Sequence, residues 1–327
     1  MKQQPFLEFL DLAAEPFGAS VLAANDEYFG EKERLIAVRA PVWDENRYTD
    51  RGKWVDGWET RRRRDDGHDW CVIRLGAAGV VRGLDVDTTH FKGNYPESCA
   101  VDVCDDPNHA CSAWGEIAWH EVLPRSPLKG DSHNLLAIHD APRSSHVRLR
   151  IFPDGGVARL RVYGEVLPDW TRLRHRGQVD LAAADHGGLV VACSDMFFGH
   201  RHNLIMPGIA RTMAEGWETR RRRGGGHDWA VIRLGAVGTL ERVEVDTRHF
   251  KGNAPGACSL EACAVSGRHV AGEQVVWQTL LPRIPLQPDN RRIFEEELAR
   301  VPDVTYVRFN IFPDGGVARL RLFGRPA

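Results

Sequence analysis

The sequence lacks features that define several large classes of protein. Its 327 residues contain no apolar run near the roughly 18 residues that a membrane-spanning helix needs. Its net charge of −2 at pH 7 gives no general attraction to nucleic acid or to an anionic membrane. Glu8, Asp11 and Glu15 near the N-terminus argue against a secretory signal peptide. We therefore expect neither a nucleic acid nor a membrane as the partner.

Cysteine and lysine are both used sparingly. Seven cysteines, an odd number without a compact framework, predict reduced thiols and a cytoplasmic location. Of the 43 basic residues only six are lysine. The positive charge is therefore carried by arginine, whose planar fork binds a carboxylate through two hydrogen bonds.

What the sequence does contain is one set of unusual motifs, present twice. The block GWETRRRR begins at residues 57 and 216, which are 159 residues apart. HDW, VIRLG and HFKGN recur at the same interval, and IFPDGGVARLR recurs at an interval one residue longer. This period is far longer than a solenoid repeat of roughly 20–50 residues. The sequence predicts two tandem copies of one domain, residues 1–168 and 184–327, joined by a linker at 169–183.

Strand-like segments dominate each copy. Trp70–Leu75 and Val80–Val86 are rich in β-branched residues and are bounded by glycine. Val147–Phe152 and Val157–Tyr163 alternate apolar with polar residues, as strands with one wet face do. The PDGG segment between them is typical of a turn and predicts a hairpin.

Helical patterns are rare, with Arg291–Arg300 as one candidate and Asn134–His139 as a weaker one. The fold class predicted is all-β, with two tandem jelly-roll β-sandwich domains. The order of Asp56-Gly57, Trp70–Gly76 and Arg159–Gly164 resembles the galactose-binding, discoidin-like sandwich. That resemblance implies a fold and no chemistry.

The first cluster with chemical potential is the arginine run. Glu59, four arginines, His68 and Asp69 fall within eleven residues. If the run is extended, Arg61 and Arg63 share one face and can grip an anion together. The alternative is a solvated run of charge with no ligand.

The second cluster is LDVDTTHFKGN. Asp85 and Asp87 lie two residues apart, so both project from one face of a strand. His90, Lys92 and Asn94 follow in a glycine-bearing loop, where binding groups often lie. A carboxylate, an imidazole and an ammonium group together form an acid–base and oxyanion set. The alternative is a hydrogen-bonded network that holds the loop.

Metal ligands are not evident from the pattern. Asp87 with His90, or His68 with Asp69, can supply two ligands each to a divalent ion. The spacing of Cys99 and Cys104 suits no common zinc site. Metal-ligating residues stay unknown at this stage.

The motifs DGWETRRRR, GHDWCVIRLG, DVDTxHFKGNYP and IFPDGGVARLR together resemble those of the allantoicase (allantoate amidinohydrolase) family across nearly the whole chain. The resemblance implies two jelly-roll domains in one subunit of a homo-oligomer. It implies a hydrolase acting on linear amidines, which converts allantoate to ureidoglycolate and urea in purine and allantoin degradation. It settles no metal requirement, and a divalent ion such as manganese stays open as a cofactor.

The implied substrate gives the two clusters separate roles. Candidates for general acid and base are Asp87, His90, Asp246 and His249. Candidates for binding the carboxylate and the ureido arms are Glu59, Arg61, Arg63, His68, Lys92, Asn94, Glu218, Arg220, Arg222, His227, Lys251 and Asn253.

Two other functions fit the same patterns. One is a non-catalytic ligand-binding protein of the galactose-binding type, and the other is a hydrolase or lyase that processes ureidoglycolate. The sequence also leaves open which residue is acid and which is base, whether one or two sites operate, the product stereochemistry and the oligomer size.

Overall fold

The computed structural model describes residues 4–106, 114, 117–175, 177–265 and 275–327. The chain divides into two compact units, Met1–Leu167 and Pro168–Ala327. Regular structure in the described residues is almost entirely β, which confirms the predicted fold class. The predicted domain limits and linker stay predictions, and residue 176 of that linker lies outside the described residues.

Within its described residues, the first unit contains twelve strands and three short 3-10 helices. The strands are β1 Leu10–Asp11, β2 Ser20–Ala24, β3 Tyr48–Thr49, β4 Gly52–Lys53, β5 Trp58–Glu59, β6 Asp69–Asp87, β7 Ser98–Cys104, β8 His120–Pro127, β9 His133–Ala137, β10 Arg143–Phe152, β11 Gly156–Val157 and β12 Arg159–Val166. The 3-10 helices are Pro5–Glu8, Glu15–Phe17 and Lys32–Ile36.

The described residues of the second unit follow the same order without equivalents of β3 and β4, after one short α-helix, α1, at Trp170–Arg174. Its strands are β13 Val179–Asp180, β14 Leu189–Cys193, β15 Trp217–Glu218, β16 Asp228–Asp246, β17 Ala257–Cys263, β18 Gln278–Pro285, β19 Arg291–Phe294, β20 Val304–Phe312, β21 Gly316–Val317 and β22 Arg319–Pro326. Its 3-10 helices are Ala184–His186, Arg201–Ile205 and Met213–Glu215. Among the described residues, no helix is long and apolar enough to cross a membrane.

One long strand organises each unit. In the first unit the strands follow the order β1-β12-β6-β10-β7-β8, and β2 and β9 also pair with β6. The first part of β6 pairs with β2 and β10, and its second part pairs with β9 and β12. Because β6 changes partners along its length, it belongs to both halves of the sandwich. Strand β16 has the same role in the second unit.

Three local predictions were wrong. Asn134–His139 and Arg291–Arg300 were expected to be helical, but strands β9 and β19 occupy much of them. Both strands pair with the second part of a long strand, so tertiary pairing overrides a weak helical pattern. Strands β10 and β12 do not form a hairpin. They pair with different parts of β6, and the turn between them sends β11 to β5 instead.

A buried tryptophan anchors the arginine run in each unit. Trp58 and Trp217 are fully buried. Their indole N–H groups donate to the carbonyls of Asp26 and Asp195, both at 2.8 Å. The residues that follow each tryptophan therefore leave the core at a fixed position.

Candidate functional site

The two motif clusters meet where β5 ends. The Asn94 amide donates to Glu59 Oε1 at 2.7 Å, and the Asn253 amide donates to Glu218 Oε1 at 2.5 Å. Four predicted binding residues, two in each unit, are thus joined in equivalent pairs. Glu59 is half-buried, and this burial raises the pKa of its carboxyl despite the hydrogen bond from Asn94.

The PDGG turn holds this arrangement together. Gly155 has φ of 139°, a conformation that favours glycine. Its N–H donates to the Thr60 hydroxyl at 3.1 Å, and the Gly156 N–H donates to the Asn94 carbonyl at 2.7 Å. A Cβ on Gly156 would lie 2.0 Å from the Phe91 ring. The turn therefore holds β5 against the loop that contains residues 92–94, here called the KGN loop.

The lysines of the two loops extend into solvent. Lys92 and Lys251 are both exposed. Lys251 Nζ lies 3.8 Å from Asp289 Oδ2, a loose surface ion pair. These ammonium groups are therefore accessible to a ligand.

The first arginine of each run is held by an aspartate from the preceding loop. Arg61 donates its backbone N–H and its Nε to Asp26, at 3.0 and 2.6 Å. Arg220 donates the same two groups to Asp195, at 2.8 and 3.0 Å. Burial would raise the pKa of Asp26, but the N–H groups of Arg61 and Tyr28 and the Arg61 guanidinium outweigh it and lower that pKa.

The third arginine of each run, Arg63 or Arg222, is hydrogen-bonded to two aspartates of its own unit. Arg63 Nη1 donates to Asp69 at 2.7 Å, and its backbone N–H donates to Asp154 at 2.9 Å. Arg222 makes the equivalent bonds at 2.5 and 2.7 Å, to the aspartates 159 and 160 residues further along the chain. The arginine run of the first unit borders a surface cavity of about 350 Å³ that also includes Asp65.

The predicted histidines of the HDW motifs pack against phenylalanine rings in a tilted arrangement. The ring centroids of His68 and Phe152 are 5.0 Å apart, and those of His227 and Phe312 are 4.7 Å apart. Burial, together with nearby arginine charges, lowers the pKa of His68. The neutral imidazole is therefore favoured in the first unit.

The predicted catalytic aspartates are buried but differ in their partners. Asp87 accepts the Thr89 N–H at 2.8 Å. Asp246 accepts the equivalent N–H of Arg248 at 2.9 Å and also forms an ion pair with its guanidinium at 2.5 Å. The replacement of threonine by arginine therefore adds a positive charge at the second aspartate.

The predicted catalytic histidines share an uncommon backbone conformation. His90 has φ of 72° and His249 has φ of 73°, values that few residues other than glycine adopt. Their Nε2 atoms lie 3.3 Å from the Pro41 carbonyl and 2.9 Å from the Ala210 carbonyl. In the described chain, no hydrogen bond joins either histidine to the aspartate three residues before it.

Sequence reasoning missed the partners that long-range pairing supplies. His133 Nδ1 lies 2.8 Å from Asp85 Oδ2, and Arg291 donates to Glu244 at 2.5 and 3.0 Å. Arg291 begins one of the segments mistaken for helices, and His133 immediately precedes the other. Had these segments been recognised as strands, strand pairing would have placed His133 beside Asp85 and Arg291 beside Glu244. Asp26 was missed because it lies 35 residues before Arg61.

The second unit contains a cavity of about 320 Å³ at the end of β16 that carries Glu244 and Asp246. Its ionisable lining residues are Asp180, Asp185, His186, Glu244, Asp246, Arg248, Arg291, Arg319 and Arg321. Pro207, Ile209 and Phe323 provide apolar walls. The cavity therefore combines a proposed catalytic residue, Asp246, with several arginines that the sequence reasoning did not select.

Within the described ranges, the structure shows no preformed set of metal ligands. No three His, Cys, Asp or Glu side chains there are arranged to hold one ion. The predicted pairs, Asp87 with His90 and His68 with Asp69, gain no third ligand of these types from the described part of the chain.

Comparisons with known proteins agree across the chain. A family model described as the allantoicase repeat matches residues 10–167 and 179–327. A protein of Pseudomonas aeruginosa (strain UCBPP-PA14), named probable allantoicase, is 47% identical over 332 residues, covering 99% of this chain and 98% of its own length. A protein of Photobacterium profundum with the same name is 47% identical over 322 residues, covering 98% of this chain and 97% of its own length.

A solved structure resembles the whole chain as well. The crystal structure of allantoicase from Saccharomyces cerevisiae superposes with a TM-score of 0.83 at 32% identity. It covers 96% of this chain and 92% of its own chain. The resemblance therefore extends over both units.

Proposed function

The chain belongs to the allantoicase family, and from this premise we propose that it hydrolyses allantoate to ureidoglycolate and urea. The observation that carries the proposal is the match of the family model to both repeats, residues 10–167 and 179–327. The enzyme is accordingly a hydrolase acting on linear amidines in purine and allantoin degradation.

The reaction sets clear chemical demands. Allantoate carries one carboxylate and two ureido arms on a central carbon. The oxygen of water bonds to that carbon, the bond to one ureido nitrogen breaks, and that nitrogen leaves as urea. A general acid must protonate the leaving nitrogen, because a urea anion is too basic to depart. A general base must take a proton from the attacking water.

The proposed acid and base come from Asp87, His90, Asp246 and His249. Two observations support this set. Both histidines adopt a left-handed backbone, and such strain is concentrated at functional sites. Asp246 also lies on the wall of the cavity. There its carboxylate pairs with the Arg248 guanidinium.

The proposed contacts to the ureido arms come from the cluster at the end of β5. The Glu59–Asn94 pair offers a carboxylate and an amide, and the Glu218–Asn253 pair repeats it. Lys92 adds an exposed ammonium group. A ureido arm carries both N–H donors and a carbonyl acceptor, so it matches this mixture.

Arg61 and Arg220, the first arginines of the two runs and here called the rim arginines, are proposed to bind the carboxylate of allantoate. Arg61 uses its Nε and backbone N–H on Asp26, and Arg220 does the same on Asp195. Among the described residues, no hydrogen bond engages the outer nitrogens of either guanidinium. These atoms can therefore take a carboxylate in the two-bond geometry typical of arginine.

Urea release from allantoate tests the function and the assignment together. We expect the double variant Asp87→Asn/Asp246→Asn to lose about a hundredfold or more of turnover, the usual contribution of an acid or base. The single variants then tell whether one aspartate or both support turnover. Asp50→Asn, at an exposed turn of the first unit, is the control and should retain full activity.

Two outcomes would contradict these proposals. Full turnover by the double variant would remove the aspartates from the chemistry. Binding of allantoate without urea release by the parent protein would favour a non-catalytic ligand-binding function. Product identification by mass would detect a ureidoglycolate-processing activity.

We also propose a cytoplasmic homo-oligomer. The cysteines of the described residues are all free of disulfides, which supports a reducing compartment. Oligomer size is measured by light scattering. Urea release after chelation, with and without added manganese, tests the metal requirement, and the described residues give no preformed ligand group for such an ion.

A further inference from the structure

A buried arginine follows the PDGGVA turn at the same position in both units. Arg159 and Arg319 begin β12 and β22, with relative exposures of 1% and 6%. A buried guanidinium is costly unless its charge is paired and its N–H groups are bonded. How each unit meets that cost differs between the two copies.

In the first unit the charge is neutralised inside the protein. Arg159 Nη2 lies 3.0 Å from Asp56 Oδ2, and its Nη1 donates to the Asp56 carbonyl at 2.8 Å. Its Nε donates to the Arg39 carbonyl at 3.0 Å. The Arg39 guanidinium in turn donates to Asp56 Oδ1 at 2.9 Å. Asp56 therefore bridges two arginines and occupies the position that an external anion would take.

Both bridging residues are replaced in the second unit. Glu215 precedes GWET where Asp56 does, and Gly208 lies two residues before the histidine-binding carbonyl, as Arg39 does. The Glu215 carboxylate turns to Arg211 instead, accepting its Nε at 2.8 Å. Gly208 has no side chain to replace the Arg39 guanidinium. The second unit therefore has no equivalent of the Asp56 bridge that neutralises Arg159 in the first unit.

Arg319 is left with carbonyl partners. Its Nη1 donates to the carbonyls of Glu215 and Ala318, at 2.6 and 2.7 Å. Its buried Nε has no hydrogen-bond partner among the residues that the structure describes. Burial, reinforced by the charge of Arg321, lowers the pKa of Arg319 to about 10. In the part of the chain that the structure describes, no carboxylate forms an ion pair with this guanidinium.

The other arginines of the cavity already have acidic partners. Arg248 pairs with Asp246 at 2.5 Å, and Arg291 pairs with Glu244 at 2.5 Å. Arg321 lies 3.6 Å from Asp180. Among the described arginines that line the cavity, Arg319 therefore stands out as the one without a carboxylate at ion-pair distance, although the charges of Glu215 and Asp246 still act on it. The cavity of about 320 Å³ is large enough for a small organic anion.

We propose that the cavity of the second unit binds the carboxylate of a small ureido acid through Arg319, and that Asp56 and Arg39 close the equivalent position in the first unit. The identity of the ligand as allantoate rests on the proposed function. The proposal moves the carboxylate anchor of the second unit from the rim arginines to a buried one. It also makes the two repeats unequal, with a ligand carboxylate taking in one copy the place that Asp56 takes in the other.

The test measures binding to the full chain by calorimetry. The probes are ureidoacetate, which carries one carboxylate and one ureido arm, and its neutral amide. We expect ureidoacetate to bind and the amide to bind at least about tenfold more weakly, because the amide cannot pair with a guanidinium. Arg319→Met should weaken ureidoacetate binding by about tenfold or more, with the fold checked by circular dichroism.

A surface substitution keeps the test valid if Arg319→Met does not fold. Ile209 lines the cavity and is 66% exposed. Ile209→Glu places a competing carboxylate there, so it should weaken ureidoacetate binding and raise the KM for allantoate about tenfold. Ile209→Gln introduces a side chain of the same size as glutamate but without its charge. It should change ureidoacetate binding and the KM for allantoate far less. Ala40→Glu, at the equivalent exposed position of the first unit, should change neither.

The outcomes separate this proposal from the proposed function. Equal effects of Ile209→Glu and Ile209→Gln, or unchanged binding by a folded Arg319→Met, would overturn the carboxylate site while urea release stands. Binding of ureidoacetate that depends on Arg319, in a protein that releases no urea from allantoate, would support the site and overturn the function.

Discussion

At the scale of single residues, two histidines of the first unit are placed in opposite electrostatic surroundings. Burial and the charges of Arg150 and Arg148 lower the pKa of His68. Burial also acts to lower the pKa of His133, but the Asp85 carboxylate outweighs it and raises that pKa. NMR titration should therefore find His68 below, and His133 above, the ordinary value of about 6.5.

The same titration predicts opposite pH dependences of stability. While Asp85, whose pKa is raised by burial, stays ionised, the His133–Asp85 contact stabilises the fold below about pH 6.5 and is lost as the pH rises through the folded pKa of His133. The neutral His68 contributes above about pH 6.5, and its contribution is lost as the pH falls through its folded pKa. Asp85→Asn should lower the pKa of His133 and leave that of His68 unchanged. A raised pKa of His133 in that variant would remove Asp85 as the cause.

Backbone strain at His90 and His249 allows chemistry to be separated from folding. Asparagine tolerates a left-handed backbone better than most residues do, and alanine tolerates it poorly. His90→Asn and His249→Asn together should therefore keep the thermal stability of the parent and lose most urea release. The matching alanine variants should lose activity and also about 1 kcal/mol of stability per site. Full activity of the asparagine pair would exclude an acid–base role for the imidazoles.

The sequence predicted local groupings at this scale better than distant pairings. Glu59 and Asn94 were both selected, because each lies in a repeated polar motif, and the structure joins them. Asp26 and Asp56 were not selected as binding partners. Their roles depend on arginines 35 and 103 residues away, and no local spacing records such distances.

At the scale of secondary structure elements, the strand content was predictable and the strand pairing was not. Alternating and β-branched segments correctly predicted an all-β fold. The PDGG turn was correctly placed between two strands, yet those strands pair with different parts of β6 rather than with each other. A turn motif constrains three or four residues, whereas hairpin formation also requires the following strand to lack a stronger partner.

Glycines of the PDGG turn and the KGN loop have contrasting roles that a matched pair of substitutions can measure. A Cβ at Gly156 would meet the buried Phe91 ring at 2.0 Å, and one at Gly316 would meet Phe250 at 1.9 Å. Gly156→Ala and Gly316→Ala should each lower the free energy of unfolding by about 1–3 kcal/mol, the usual cost of overpacking. Denaturant titration measures this.

The control positions are Gly93 and Gly252, where an added Cβ meets nothing within 4 Å. Gly93→Ala and Gly252→Ala should leave the free energy of unfolding within about 0.5 kcal/mol of the parent, as surface substitutions usually do. If all four variants were equally stable, the close packing of each turn against its phenylalanine would be disproved.

At the scale of the whole molecule, duplication made the architecture predictable and hid the differences between the copies. Identical blocks at a fixed interval identify two equivalent domains without any knowledge of pairing. The same blocks are silent about Gly208, Glu215 and Arg248, which lie outside them or at their edges. Those substitutions change the charge balance around Asp246 and Arg319. Function can therefore diverge between repeats whose motifs remain the same.

Buried thiols allow each unit to be followed separately. Cys99 and Cys258 are fully buried on equivalent strands, and burial raises the pKa of each to about 12. Since the thiolate is the reactive form, neither should be alkylated in the native protein at pH 8. Peptide-level mass spectrometry along a denaturant gradient should then report the opening of the first unit through Cys99 and of the second through Cys258. Gly156→Ala should move the labelling of Cys99 to lower denaturant more than that of Cys258, because the added Cβ strains the turn of the first unit. Labelling of Cys99 in the native protein would contradict its burial within the β7 strand.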